Sequence, residues 1–106
     1  MKLKTLLCGV CLSLAMATTA FAAEPIKIGV YLPLTGQNAF GGQLELEGVQ
    51  LANKEKPSVL GRDVTLGVVD NKSDKVEAAD EVKGLTAQDK VTGLIGTQGS
   101  SLALSG

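Results

Sequence analysis

The chain has 106 residues, with 10 Lys and Arg against 11 Asp and Glu, a net charge of −1, no His and two Cys. Without His it cannot build a Ser-His-Asp or Cys-His device by itself, nor a His-containing zinc site, and Cys8 and Cys11 alone cannot make a four-cysteine one. The near-neutral balance leaves no electrostatic footprint for nucleic acid or for an anionic membrane.

The chain opens with an address. Lys2 and Lys4 precede an uncharged, mostly apolar run from Thr5 to Thr19, and Ala20-Phe21-Ala22 follows as a small–x–small site. That order predicts a secretory signal peptide over residues 1–22, cut after Ala22. The apolar run is shorter than the ~20 residues a spanning helix needs. Cys8 and Cys11 lie too near the N-terminus for lipidation. Removing 22 of the 106 residues leaves 84, without cysteine, and loss of Lys2 and Lys4 takes the net charge from −1 to −3. No disulfide can staple such a chain, so it relies on its core. A core of this size is marginal.

Ile26 to Leu34 is a short apolar run without helical periodicity, which predicts a first strand, apolar on both faces from Val30. Thr35 to Gly42 is a loop by composition. Gln43 to Lys56 predicts a helix with Leu44, Gly48, Leu51, Ala52 and Glu55 on one face, ended by Pro57. Gly61-Arg62 turns into a second strand, Asp63 to Val69. Asp70 to Asp74 is its exit loop. Asp74 and Glu77 have the spacing of a capping box. The next helix carries Val76, Ala79, Val82 and Leu85 at spacings of three. Lys90 to Gly96 predicts a third strand, Thr97 to Ser101 a loop, and Leu102-Ala103-Leu104 the start of a third helix. Strands alternating with helices predict an α/β fold with a parallel sheet and right-handed crossovers.

In such sheets ligands bind beyond the carboxyl ends of the strands, where the strand order reverses. With the order 2-1-3, that point lies between the loops Thr35–Gly42 and Thr97–Ser101. Both lead into helix N-termini, where free N–H groups favour an anion. Phosphate fits poorly. Gly36 and Gly41 match the first two glycines of a G-x-x-x-x-G-K-[ST] loop, but Gly42 and Gln43 stand where Lys and Ser/Thr are needed, and neither loop has G-x-G-x-x-G. A carboxylate fits better. Ser100 and Ser101 are the sharpest candidates, each offering a hydroxyl and an amide, against simple N-capping as the alternative. Thr35 and Phe40 are weaker: Thr35 could satisfy its own turn, and Phe40 could pack under the loop or against an apolar ligand group. Tyr31 reads as core, Asp70 and Asp74 as loop and cap residues rather than an acid–base pair, and Lys54, Glu55 and Lys56 as a solvated helix end.

These stretches resemble the N-terminal part of the periplasmic branched-chain amino-acid (Leu/Ile/Val-type) binding proteins of ABC importers. The similar segments are Ile26-Lys-Ile-Gly-Val-Tyr-Leu-Pro-Leu-Thr-Gly36, Gly41-Gly42, Gly48 through Leu51-Ala52, Gly61-Arg62, Asp70-Asn-Lys-Ser-Asp74, Gly93-Leu-Ile-Gly96 and Gly99-Ser100-Ser101. The resemblance implies the type I periplasmic-binding fold, here as a partial first lobe: a three-stranded parallel sheet of order 2-1-3 with flanking helices over residues 23–106. It implies an extracytoplasmic, periplasmic solute receptor binding a branched-chain or related amino acid, an amide or a small carboxylic acid. It further implies a membrane permease as partner, no enzyme activity, and neither cofactor nor metal. Ser100 and Ser101 match positions that hold the ligand's carboxylate or ammonium. Phe40 is shifted by one from the family's usual aromatic, and Pro57 to Arg62 is shorter than the usual linker. The length then predicts a truncated chain with half a cleft. Two other readings compete: an exported α/β enzyme whose catalytic half is missing, and a response-regulator-like domain. No G-x-S-x-G surrounds Ser100 or Ser101, and Leu34-Thr35-Gly36 stand where the second needs acids.

Overall fold

A computed structural model describes residues 23–106, so the export signal expected over residues 1–22 lies outside the described residues. The elements run β1 (Ile26–Leu32), α1 (Ala39–Glu55), β2 (Ser58–Val59), β3 (Arg62–Asp70), α2 (Lys75–Lys83), a π-helical turn (Gly84–Gln88), β4 (Gly93–Gly96) and α3 (Ser100–Ser105). The sheet order is β2-β3-β1-β4. β1 pairs in parallel with β3, Val30 opposite Val68, and with β4, Val30 opposite Ile95. The three expected strands and their 2-1-3 order are therefore present as β3-β1-β4.

A fourth strand departs from expectation. Ser58 and Val59 pair antiparallel with Asp63 and Arg62, so the sheet is mixed rather than three-stranded and parallel. The two hairpin residues, Leu60 and Gly61, have φ of 53° and 72°. Two positive φ values in sequence suit the right-handed twist of a tight hairpin. Leucine at the first position hides the turn, because Asn or Asp is the usual signal there.

α1 begins at Ala39, four residues before the expected Gln43. The glycines at 41 and 42 suggested loop; their actual use is close packing. Gly42 is buried, and a Cβ there would overlap the carbonyl oxygen of Pro33. The helix also faces differently. Leu44 and Leu51, expected inward, are 54% and 57% exposed. Gly48 and Ala52 of the expected face, joined by Val49, line an open groove of 770 Å³ floored by Ile26, Ile28, Val64, Leu66 and Ile95. α1 thus carries two apolar stripes, and only one is turned to the sheet.

On the opposite face, α2, the π-helical turn and α3 cover the sheet. Ala78, Leu85 and Leu102 are buried there, while Val76, expected inward, is exposed. The strict spacing of three drifts around a helix with 3.6 residues per turn, so Ala78, Val82 and Leu85 form the actual stripe. Leu85 reaches the Cα of Gly29, where a Cβ would sit 3.0 Å from its Cδ1. Tyr31 is 8% exposed and lies against Gly96, as the core reading expects. β4 starts at Gly93 rather than Lys90, because Lys90 takes φ of 53° and breaks the extended run. Asp74 caps α2 as expected, its carboxylate accepting the amides of Val76 at 2.8 Å and Glu77 at 3.0 Å. The reciprocal half of the capping box is not made: the Asp74 amide donates to the Asn71 carbonyl, and Glu77 pairs with Lys72 at 3.2 Å.

Candidate functional site

β1 lies between β3 and β4: the crossover from β1 to β3 runs one way along the sheet and the crossover from β3 to β4 runs back past β1, which places α1 on one face and α2 on the other. The order reverses between β1 and β4. The segments beyond their carboxyl ends, residues 33–38 and 97–99, open α1 and α3. They meet as the sequence predicts. The side chain of Gln98 lies over Gly41, and Asn38 Nδ2 comes within 3.4 Å of where a Cβ would stand on Gly99. Gly99 has φ of 98°, which suits glycine and turns the chain into α3.

The exit of β3 ties the rim together. Asp70 Oδ1 accepts the amides of Leu34 at 2.8 Å, Thr35 at 3.2 Å and Lys72 at 2.8 Å, and its Oδ2 accepts the Thr35 hydroxyl at 2.7 Å. Burial pushes the Asp70 carboxyl up, but the hydrogen bonds from Thr35, Lys72 and Leu34 outweigh it and hold the group below its ordinary value. The Ser73 hydroxyl donates to the Thr35 carbonyl at 2.8 Å and accepts the Asn38 amide at 3.1 Å. Gly36, at φ of 83°, permits this approach: a Cβ would stand 2.8 Å from the Lys72 carbonyl oxygen and from Ser73 Oγ.

Asn71 serves the other loop. It is fully buried, the one buried polar or charged residue among those described. Its Nδ2 donates to Thr97 Oγ1 at 2.9 Å, its Oδ1 accepts the Ser73 amide at 3.1 Å, and its own amide donates to the Leu32 carbonyl at 3.0 Å. Lys72 and Ser73 follow with φ of 54° and 58°. Left-handed backbone costs ~1–2 kcal/mol per non-glycine residue. The side-chain acceptors of Asp70 and Asn71 hold both amides and offset that cost.

Ser100 and Ser101 are the first two residues of α3 and are exposed. They do not cap it. Gly99 occupies the N-cap position, and the cap makes no side-chain hydrogen bond. The hydroxyls of Ser100 and Ser101 have no hydrogen-bond partner among the described residues, and the helix's first amides have no intrahelical acceptor. Thr35 sits on the same rim, but its hydroxyl hydrogen is committed to Asp70, which leaves only acceptor capacity. Phe40 lies in the first turn of α1, 81% exposed, beside Gly41.

Asn38 and Thr97 fall in the two loops that the sequence puts at the rim, but Asp70, Asn71 and Ser73 are not legible as members of this cluster. The run Asp70-Asn-Lys-Ser-Asp74 carries a turn signal, yet nothing local reveals partners 26 to 38 residues away.

The profile of a family described as "Periplasmic binding protein" matches residues 25–106. The chain belongs to that family. It is 41% identical over 96 residues to a Leu/Ile/Val-binding protein homolog of Brucella abortus, covering 85% of this chain and 24% of that protein. It superposes with a TM-score of 0.74 and 40% identity on the leucine binding protein LivK from Thermotoga maritima, over 76% of this chain and 23% of that one. It superposes with a TM-score of 0.73 and 31% identity on the branched-chain amino acid transporter substrate binding protein LivJ from Streptococcus pneumoniae, in complex with isoleucine, over 76% and 24%. This family member therefore has the fold of the type I periplasmic binding proteins and spans about a quarter of the length of the relatives it matches.

Proposed function

We propose that residues 23–106 form the N-terminal part of the first lobe of an extracytoplasmic solute receptor serving an ABC importer, with residues 1–22 as its export signal. The ligand is a branched-chain or closely related amino acid. It sits at the junction of the loops after β1 and β4, and a membrane permease receives it. No nucleic acid and no cofactor enters the reading.

One observation carries it. Two helix-opening loops converge at the strand-order reversal, and there Ser100 and Ser101 present hydroxyls free of any capping duty. In this reading those hydroxyls and the first amides of α3 donate to the ligand's carboxylate. Thr35, limited to accepting, suits the ammonium. Phe40 offers an apolar surface to the side chain. The similar proteins support the ligand class: a Leu/Ile/Val-binding protein homolog in Brucella, a leucine binding protein in Thermotoga, and a branched-chain amino acid transporter substrate binding protein in complex with isoleucine in Streptococcus.

A thermal-shift screen of the protein at full natural length, with leucine, isoleucine, valine and benzoate, tests the reading. A ligand at 100 times its Kd stabilises by ~2.7 kcal/mol. The three amino acids are expected to raise the melting temperature more than benzoate does. A melting temperature that none of the amino acids moves would contradict the reading.

A further inference from the structure

Few side-chain hydrogen bonds hold the loop that carries Ser100 and Ser101, although Gln98 packs over Gly41 and Asn38 lies beside Gly99. The loop follows a strand of four residues and opens a helix of six. Its N-cap makes no side-chain hydrogen bond. Among the described residues, one side-chain hydrogen bond from elsewhere in the fold secures it. Asn71, on the far side of β1, reaches across the end of that strand and donates Nδ2 to Thr97 Oγ1 at 2.9 Å. The carboxamide itself is fixed. Its Oδ1 holds the Ser73 amide, its backbone amide holds the Leu32 carbonyl, and it is fully buried. A buried amide satisfied at both ends is directional and costly to disturb.

We propose that Asn71 is a positioning residue of the ligand site: it touches no ligand itself, and through Thr97 it holds residues 97–101 in the geometry that binds. The proposal rests on the functional reading above. Its physical content is preorganisation. A loop that adopts the competent geometry only a fraction of the time weakens apparent affinity by that fraction. Without the brace, the Thr97 hydroxyl and the Ser73 amide lose their buried partner, and the loop relaxes to satisfy them with water. The hydrogen bond and the desolvation it offsets correspond to roughly a tenfold change in an equilibrium.

The experiment uses the full natural length protein, with leucine as the calorimetric probe and amide hydrogen exchange measured without ligand. Thr97→Val puts a methyl in place of the hydroxyl, and Thr97→Ser retains the hydroxyl. Thr97→Val is expected to bind leucine about tenfold more weakly, Thr97→Ser within about threefold of the parent. Asn71→Ala is expected to weaken binding by a similar factor and to add nothing further on top of Thr97→Val, because both cut the same bond. In the ligand-free Asn71→Ala and Thr97→Val proteins, amides 98–101 are expected to exchange faster while those of β1 keep their protection. Should Asn71→Ala fail to fold, the Thr97 pair and its exchange pattern decide alone. Parent-like affinity in Thr97→Val, unchanged exchange of residues 98–101, or losses that add in the double variant would overturn the positioning role. Failure of the parent to bind any amino acid, with the exchange pattern as expected, would instead remove the functional reading and leave the brace purely structural.

Discussion

The carboxylate of Asp70 accepts the hydroxyl of Thr35 at 2.7 Å, joining the end of β3 to the loop that opens α1. The two residues lie 35 positions apart in the chain, and the same carboxylate also accepts the Leu34, Thr35 and Lys72 amides. One charged group therefore fixes both the turn into α1 and the left-handed backbone at Lys72.

Asp70→Asn keeps the shape and removes the charge and one acceptor. The expected loss is about 1 kcal/mol at neutral pH, a charged-group hydrogen-bond value discounted for solvent screening. Its pH dependence follows from the lowered Asp70 pKa. The folded state binds the proton less tightly than the unfolded one. The stabilisation is complete above the unfolded-state value and disappears as pH falls through the folded one. Urea midpoints of parent and Asp70→Asn should differ at pH 7 and converge toward pH 3. A gap that persists or widens in acid would show that the carboxylate is not the source.

The cap of α2 gives a second prediction. Asp74 accepts two otherwise unpaired amides, so Asp74→Ala is expected to cost ~1 kcal/mol, and Asp74→Asn much less. The neighbouring Lys72–Glu77 pair at 3.2 Å is exposed, and Glu77→Gln should change the urea midpoint by little. Equal losses for Asp74→Ala and Glu77→Gln would argue that charge near the helix end, rather than capping, is responsible.

Local signals carried most of the fold into the sequence. The apolar run of β1 and the Asp74 cap depend on neighbours a few residues apart, and both are present, with β1 ending at Leu32 and not at Leu34. What escaped reading depends on long-range contact. Gly42 looked like loop because glycine marks turns, yet it is glycine so that α1 can meet the Pro33 carbonyl. Leu60 concealed a hairpin because only the pairing of Val59 with Arg62 forces it to positive φ. At the candidate site, loop composition and the strand-order argument put the loops after β1 and β4 on one rim, and there they meet. The bracing partners Asn71–Thr97 and Asp70–Thr35 emerge only once β3 and β4 flank β1.

The glycines of α1 separate packing from propensity. Gly42→Ala is expected to destabilise by ~1–3 kcal/mol, since its methyl meets backbone rather than a movable side chain. Gly48→Ala faces open space and should stabilise by ~0.5–1 kcal/mol through helix propensity alone. Opposite signs in the two urea midpoints are the expected result; a stabilised Gly42→Ala would contradict the packing argument.

The most direct measurement for the site itself is calorimetric titration of leucine into the full natural length protein and into its Ser100→Ala, Ser101→Ala double variant. Hydrogen bonds to a charged carboxylate contribute ~1.5–3 kcal/mol each. The account predicts that the parent binds and that the double variant loses at least about 100-fold in affinity, with its melting temperature nearly unchanged because neither hydroxyl supports the fold. Undiminished leucine affinity in the double variant would contradict it.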